Sequence, residues 1–150
     1  MKHPPLIFEY SKITNYIYIG TNMCCQQLYF NKNLLKKGIK ADISLEETRI
    51  DQPFGVDYYL WLPTKDHKAP TLKQLRIGVS FLKELKKQKI RCFIHCQRGH
   101  SRAPTLVAAS LISEGMKVEG AINFIKKRRP AIHPNKTQIN MLKQQYSTNL

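Results

Sequence analysis

Cys96, Gly99 and Arg102 stand in the run Cys96-Gln97-Arg98-Gly99-His100-Ser101-Arg102, and together these residue types suit nucleophilic attack on an anion. The thiolate is the reactive form of cysteine, and thiols near a helix N-terminus or near arginines ionise more readily than free ones. Arginine carries a planar fork of donors that takes two phosphoryl oxygens at once. Gly99, in mid-run, adopts backbone angles that a Cβ resists. The arrangement fits in-line attack on a phosphate monoester: the Cys96 sulfur bonds to phosphorus, and water then hydrolyses the phosphocysteine. Gln97, Arg98, Gly99, His100, Ser101 and Arg102 form the expected phosphate-binding set, stabilising the equatorial oxygens as the transition state develops. The run is not a Walker loop, since GxxxxGK[ST] is absent.

Such a loop works only if a strand delivers it and a helix receives it, because the helix N-terminus then points N–H groups and its positive dipole end at one small volume. The flanking sequence has that form. Ile90 to His95 reads as a short buried strand, and Ala103 to Glu114 as an almost wholly apolar helix with Pro104 in its first turn. Upstream, β-like stretches cover Phe8 to Ile13 and Tyr16 to Ile19. A helix is expected from Cys24 to Lys37 with Gly38 as its stop, and strands over Ile39 to Leu45 and Val56 to Leu62. Pro63 to Pro70 reads as a loop and Thr71 to Gln88 as an amphipathic helix. Two further helices cover Lys117 to Arg128 and Lys136 to Tyr146. Strands alternating with helices predict an α/β fold, a largely parallel central sheet flanked by helices, in one domain spanning 1–150.

His95-Cys96-Gln97-Arg98-Gly99-His100-Ser101-Arg102 matches HCxxGxxR, and the chain therefore resembles the protein tyrosine phosphatase superfamily, specifically its small dual-specificity branch. Ile17-Tyr18-Ile19-Gly20, the passage from Leu34 to Leu45, and Arg129-Pro130-Ala131-Ile132-His133-Pro134-Asn135 are similar to family segments in the same order. The resemblance runs from about Ile13 to Tyr146 and implies a metal-independent phosphatase, without cofactor, acting on phosphotyrosine and on phosphoserine or phosphothreonine in proteins. One position departs: the family usually has Ser or Thr after the loop arginine, where a hydroxyl helps the thiolate leave. Here it is Ala103, as in the Arg-Ala-Pro of some dual-specificity members, including plant glucan phosphatases. Ser101 and Thr105 are the nearby hydroxyls, and Ala103 leaves open the alternative of a weakly active domain that binds phosphorylated ligands.

The leaving oxygen needs a proton, so a carboxylic acid should overhang the loop. Asp66 follows a strand expected to run parallel to that of Cys96, which places it at the same sheet end, and it resembles the family's general acid in position. Glu46 and Glu47 are the alternatives; Glu9, Asp51, Glu84, Glu114 and Glu119 read as surface groups. His95 is expected to orient the loop. Arg98 and His100 should face outward, either to bind a second phosphate or as solvated surface. Cys92 is expected in the core, with a redox alternative in which it captures an oxidised Cys96. Cys24 and Cys25 indicate helix packing only, and Lys126-Lys127-Arg128-Arg129 a solvated helix end.

Composition bounds the rest. The 25 Lys and Arg against 10 Asp and Glu give a net charge of +15. That field draws anionic substrates such as phosphoproteins, phosphoinositides, phosphoglycans or RNA ends, and leaves weak nucleic-acid affinity open without favouring it. Four cysteines without CxxC spacing argue against a disulfide framework or a structural metal and for a reducing compartment. No apolar run spans a bilayer, and the N-terminal residues lack a secretory signal, so a cytoplasmic monomer is expected.

Overall fold

The computed structural model describes residues 4–25 and 29–147. Its elements run β1 (Tyr10–Lys12), β2 (Ile17–Gly20), a 3-10 turn (Asn22–Cys25), α1 (Lys32–Lys36), β3 (Ile39–Glu46), β4 (Tyr58–Thr64), α2 (Leu72–Lys87), β5 (Arg91–His95), α3 (Arg102–Ser113), α4 (Val118–Arg128) and α5 (Lys136–Ser147). The five strands form one sheet in the order β1-β2-β5-β3-β4. β1 pairs antiparallel with β2, while the β2–β5, β5–β3 and β3–β4 pairs are parallel. The expected α/β architecture with a largely parallel sheet is therefore present. Among the described residues, no helix is long and apolar enough to cross a membrane.

Period-2 alternation divides the sheet between two cores. Cys92 and Ile94 of β5, with Ile17, Ile19, Ala41 and Ile43, pack against α2, α3, α4 and α5. Phe93, with Tyr18 and Ile39, packs on the opposite face with Phe30 and Leu34. β5 lies at the centre, and α3 is buried along nearly its whole length, which accounts for its apolar sequence. The loop between them is thus held between two buried elements.

Two expectations need correction. The helix expected from Cys24 to Lys37 is split into the 3-10 turn and the five-residue α1; positions 26–28 of it lie outside the described residues. Asn31 is the cause: its side-chain oxygen accepts from the N–H groups of Asn33 and Leu34, which starts a new helix there. β4 lies two residues later than expected and includes Pro63. It is an edge strand, where a missing N–H is tolerated, and the register shift between Ser44 and Glu46 falls opposite that proline. Elsewhere the bounds hold within a residue or two, with Thr71 and Gln74 forming a capping box at the start of α2.

Candidate active site

The segment from Cys96 to Arg102 leaves β5 and turns into α3, and its carbonyls explain its shape. The Gln97 carbonyl accepts from Asn22 N–H at 3.0 Å, and that of His100 from His133 N–H at 2.7 Å. The Arg98 and Gly99 carbonyls accept from Arg129 Nη2 at 2.9 Å and Nε at 2.8 Å. The Ser101 carbonyl accepts from both the N–H and the hydroxyl of Thr105. Five consecutive carbonyls are thus drawn to the outside of the loop. Among the described residues there are no cis peptides, and in a trans peptide the next residue's N–H points the opposite way, so the N–H groups of Arg98 to Arg102 turn to the concave side. That concavity is an anion cradle.

Gly99 is where the turn demands glycine. Its φ is +70°, and a Cβ there would lie 2.6 Å from the Gly20 carbonyl oxygen. It lies behind the cradle wall, while Cys96, Gln97, Arg98, His100, Ser101 and Arg102 line a cleft of about 380 Å³ together with Asp66, His67 and His133. Cys96 sits at the floor, 3% exposed. Arg102 is buried, held by Nη1 donating to the Thr64 carbonyl at 2.9 Å. Its Nε has no hydrogen-bond partner and lies 3.6 Å from Asp66 Oδ1.

Asp66 reaches the cleft because β4, though separated from β5 by β3, runs in the same direction and ends at the same sheet edge. The loop after it is fixed. Asn135 Nδ2 donates to the His67 carbonyl at 2.8 Å, and Gln138 Nε2 to the Lys68 carbonyl at 3.0 Å. His67 holds φ at +64°, an uncommon conformation for a residue with a Cβ. The alternative acids are elsewhere. Glu46 is buried, with Asn22 Nδ2 donating to it at 2.6 Å and the Thr48 hydroxyl at 2.8 Å, and Glu47 is exposed outside the cleft.

Several neighbouring residues differ from expectation. Arg129 is not part of a solvated helix end. It is 2% exposed and braces the loop while pairing with the Glu9 carboxylate. Asp51 is not a surface group either: it is buried beside His95 and Asp42. Cys24 does more than pack a helix, since its sulfur lies in that same cluster. Burial alone would lower the pKa of His95, but the Asp42 and Asp51 carboxylates carry it well above the usual imidazole range. The redox pairing of Cys92 with Cys96 fails on distance. Cys92 lies within β5, and four extended residues put the two Cα atoms about 13 Å apart, roughly twice what a disulfide spans. Burial also pushes the Cys92 thiol far up.

Of the two hydroxyls near Ala103, that of Thr105 is spent on the Ser101 carbonyl in a fully buried position, whereas Ser101 lines the cleft. Arg98 and His100 both line the mouth. Arg98 Nη1 donates to the Pro4 carbonyl, and the His100 ring sits 5.2 Å from that of His133.

Comparison with known proteins gives one consistent answer. The family described as dual specificity phosphatase, catalytic domain, matches residues 17–148. Dual specificity protein phosphatase 2 of Mus musculus is 29% identical over 126 residues, covering 83% of this chain and 39% of that protein. The chain thus spans about two fifths of the length of that curated relative. Among solved structures, that of PTPMT1 superposes with a TM-score of 0.79 at 28% identity, covering 94% of this chain and 96% of the other. A second structure, of PTPMT1 in complex with PI(5)P, also superposes at 0.79 and 28%, covering 93% and 96%.

Proposed function

The chain belongs to the dual specificity phosphatase family, and from that premise we propose that it hydrolyses phosphate monoesters, with Cys96 as nucleophile, Arg102 and the loop N–H groups as phosphoryl holders and Asp66 as proton donor. The observation that carries this reading is the set of outward-held carbonyls from Gln97 to Ser101, which turns a ring of N–H donors over a cysteine at the cleft floor. Those donors are fixed before substrate arrives, so they need no reorganisation as charge builds on the equatorial oxygens.

In the first step the Cys96 thiolate bonds to phosphorus as the phosphorus–oxygen bond to the leaving group breaks, and that oxygen takes the proton of Asp66. The phosphoryl oxygens take the unpartnered Nε of Arg102, which in their absence faces Asp66 at 3.6 Å. In the second step Asp66, now a carboxylate, removes a proton from water, water oxygen bonds to phosphorus, and the sulfur leaves as thiolate. Ala103 supplies no hydroxyl to that sulfur. Ser101 is the hydroxyl placed to do so, and release is the slower half of the cycle.

Phosphorylated proteins are the primary substrates in this reading, with phosphotyrosine, phosphoserine and phosphothreonine all admitted. A polyanionic substrate, such as a phosphoinositide, is the second reading. Arg98 and the ring nitrogens of His67, His100 and His133 around the same cleft favour it, as does the likeness to PTPMT1, whose structure holds PI(5)P. The four free cysteines fit a reducing, cytoplasmic setting, and the protein is proposed to act as a monomeric single domain without a nucleic-acid partner.

The test is a panel of p-nitrophenyl phosphate, phosphopeptides bearing each of the three phosphoresidues, and phosphoinositide micelles, ranked by kcat/KM at fixed salt. Turnover of p-nitrophenyl phosphate that is lost in Cys96→Ser supports the reading. No turnover by the wild type, or equal turnover by that variant, overturns it.

A further inference from the structure

Behind the loop, on the face of β3 and β5 that also carries Phe93, four side chains converge that the phosphate cleft does not use. Alternation puts Asp42 and His95 on that face, the 3-10 turn adds Cys24, and the passage between β3 and β4 adds Asp51. They are 1%, 0%, 6% and 0% exposed for Cys24, Asp42, Asp51 and His95. One sulfur, one imidazole nitrogen and two carboxylate oxygens, one from each residue, all lie within 4.8 Å of one another.

Two carboxylates in a site closed to water are costly unless something positive meets them. The outer oxygens have partners: Arg49 Nε lies 3.3 Å from Asp51 Oδ1, and Cys25 Sγ lies 4.0 Å from Asp42 Oδ2. The inner oxygens, Asp42 Oδ1 and Asp51 Oδ2, lie 3.2 Å and 2.6 Å from His95 Nε2. Close as they are, an N–H on Nε2 points squarely at neither oxygen, so these three buried atoms are held together by charge rather than by a well-aligned hydrogen bond.

The other ring nitrogen explains the mismatch. His95 Nδ1 lies 3.3 Å from the Cys96 carbonyl, which only accepts, so the proton belongs on Nδ1. A cation that displaces the proton from Nε2 meets its lone pair together with the two carboxylate oxygens on the same side. A histidine that donates its far nitrogen to a backbone carbonyl while its near lone pair joins carboxylates is arranged as a metal ligand with its outer support in place.

We propose that Cys24, Asp42, Asp51 and His95 form a buried site for a zinc-type divalent cation that anchors the base of the loop carrying Cys96. One sulfur, one imidazole and two carboxylates make a four-ligand set suited to zinc, whereas magnesium and calcium take oxygen alone. Tetrahedral ligands at zinc distances stand about 3.3 Å apart, close to the 3.2 Å between His95 Nε2 and Asp42 Oδ1; the shorter Asp51 separation opens as the ion enters. Binding releases the Cys24 thiol proton and the His95 Nε2 proton to solvent, and the resulting single negative charge is met by Arg49. Because Cys96 follows His95 directly, the ion fixes the loop at its origin. Its role is positioning, and the inference stands apart from the phosphatase reading.

Without a cation, a protonated His95 shared by the two carboxylates would fill the same gap, and the experiment separates the two. Protein carrying Cys96→Ser, which removes the cleft thiol as a source of signal, is stripped by dialysis against chelator and titrated with Co²⁺. One equivalent should bring up a near-ultraviolet thiolate-to-cobalt band, and adding Cys24→Ser should abolish it. Zn²⁺ at about 100 times its Kd should raise the wild-type Tm by about 5–10 °C. X-ray absorption of zinc-loaded Cys96→Ser protein should show a sulfur at about 2.3 Å with nitrogen and oxygen at about 2.0–2.2 Å; this reading does not depend on whether the Cys24 variant folds. A sulfur-free shell, a cobalt band that survives Cys24→Ser, or folded protein that takes up neither metal overturns the site.

Discussion

Replacing Arg129 by methionine tests how the cradle is held without touching any group that lines it. Arg129 makes five hydrogen bonds: Nε to the Gly99 carbonyl, Nη2 to the Arg98 carbonyl and Glu9, and Nη1 to Glu9 and Ser11. Methionine keeps much of the buried volume and removes every donor. The buried Gly99 carbonyl then loses its partner at about 1–3 kcal/mol, and the half-exposed Arg98 carbonyl at the lower end of that range. The Glu9 carboxylate is 43% exposed, so losing that pair adds only about 0–1 kcal/mol. The sum is about 2–5 kcal/mol, which leaves most domains of about 5–15 kcal/mol stability folded. Urea unfolding should show the midpoint falling at constant m. With two carbonyls released, the Gly99 and His100 N–H groups lose their aim, and kcat for p-nitrophenyl phosphate should drop about 10²-fold. Arg129→Lys should recover little, because an ammonium cannot reproduce the fork. A stability change under about 1 kcal/mol with kcat within twofold of wild type would refute the bracing role.

Further outcomes follow from the same geometry. Asp66→Asn should lower kcat about 10²–10⁴-fold on alkyl phosphates, less on p-nitrophenyl phosphate, and remove the fall in rate on the alkaline limb of the pH–rate profile; an unchanged profile and rate would remove Asp66 from the chemistry. Gly99→Ala must place a Cβ 2.6 Å from the Gly20 carbonyl at a φ of +70°, so it should lose about 1–3 kcal/mol and most activity; wild-type kcat in a folded variant would contradict the turn assignment. His100 titrates below the usual 6.5 because of burial and then Arg129. The unfolded chain therefore binds its proton first, and this residue erodes stability as pH falls from 6.5 toward its folded value. His100→Asn should flatten that part of the stability curve measured by urea unfolding, and identical slopes would show that His100 does not contribute.

The loop from Cys96 to Arg102 was legible as a strand-to-helix turn because its information is local: Cys96, Gly99 and Arg102 are spaced along seven residues, and strand and helix patterns flank them directly. Asp66 needed only the direction of one strand. What shapes the loop was not legible, because Asn22, Arg129 and His133 reach it from distant parts of the chain through backbone carbonyls, which leave no mark on residue type. Arg129 read as the end of a basic run because helix periodicity did not extend past Arg128. Asp51 read as surface because most aspartates are, and only the packing of the β3–β4 passage against His95 buries it. The split of the first helix had a visible signal in Asn31, a good N-cap that was outweighed by the apolar pattern on either side.

The central claim is that Cys96 bonds to phosphorus, and the most direct test is to trap that bond. Wild-type protein mixed with excess p-nitrophenyl phosphate and quenched in acid within the first turnovers should yield, by peptide mass spectrometry, one phosphoryl group on the peptide carrying Cys96. The Ala103 position predicts that this species accumulates after a burst of p-nitrophenol. A phosphoryl group on another residue, or turnover at the wild-type rate in Cys96→Ser, would contradict the account.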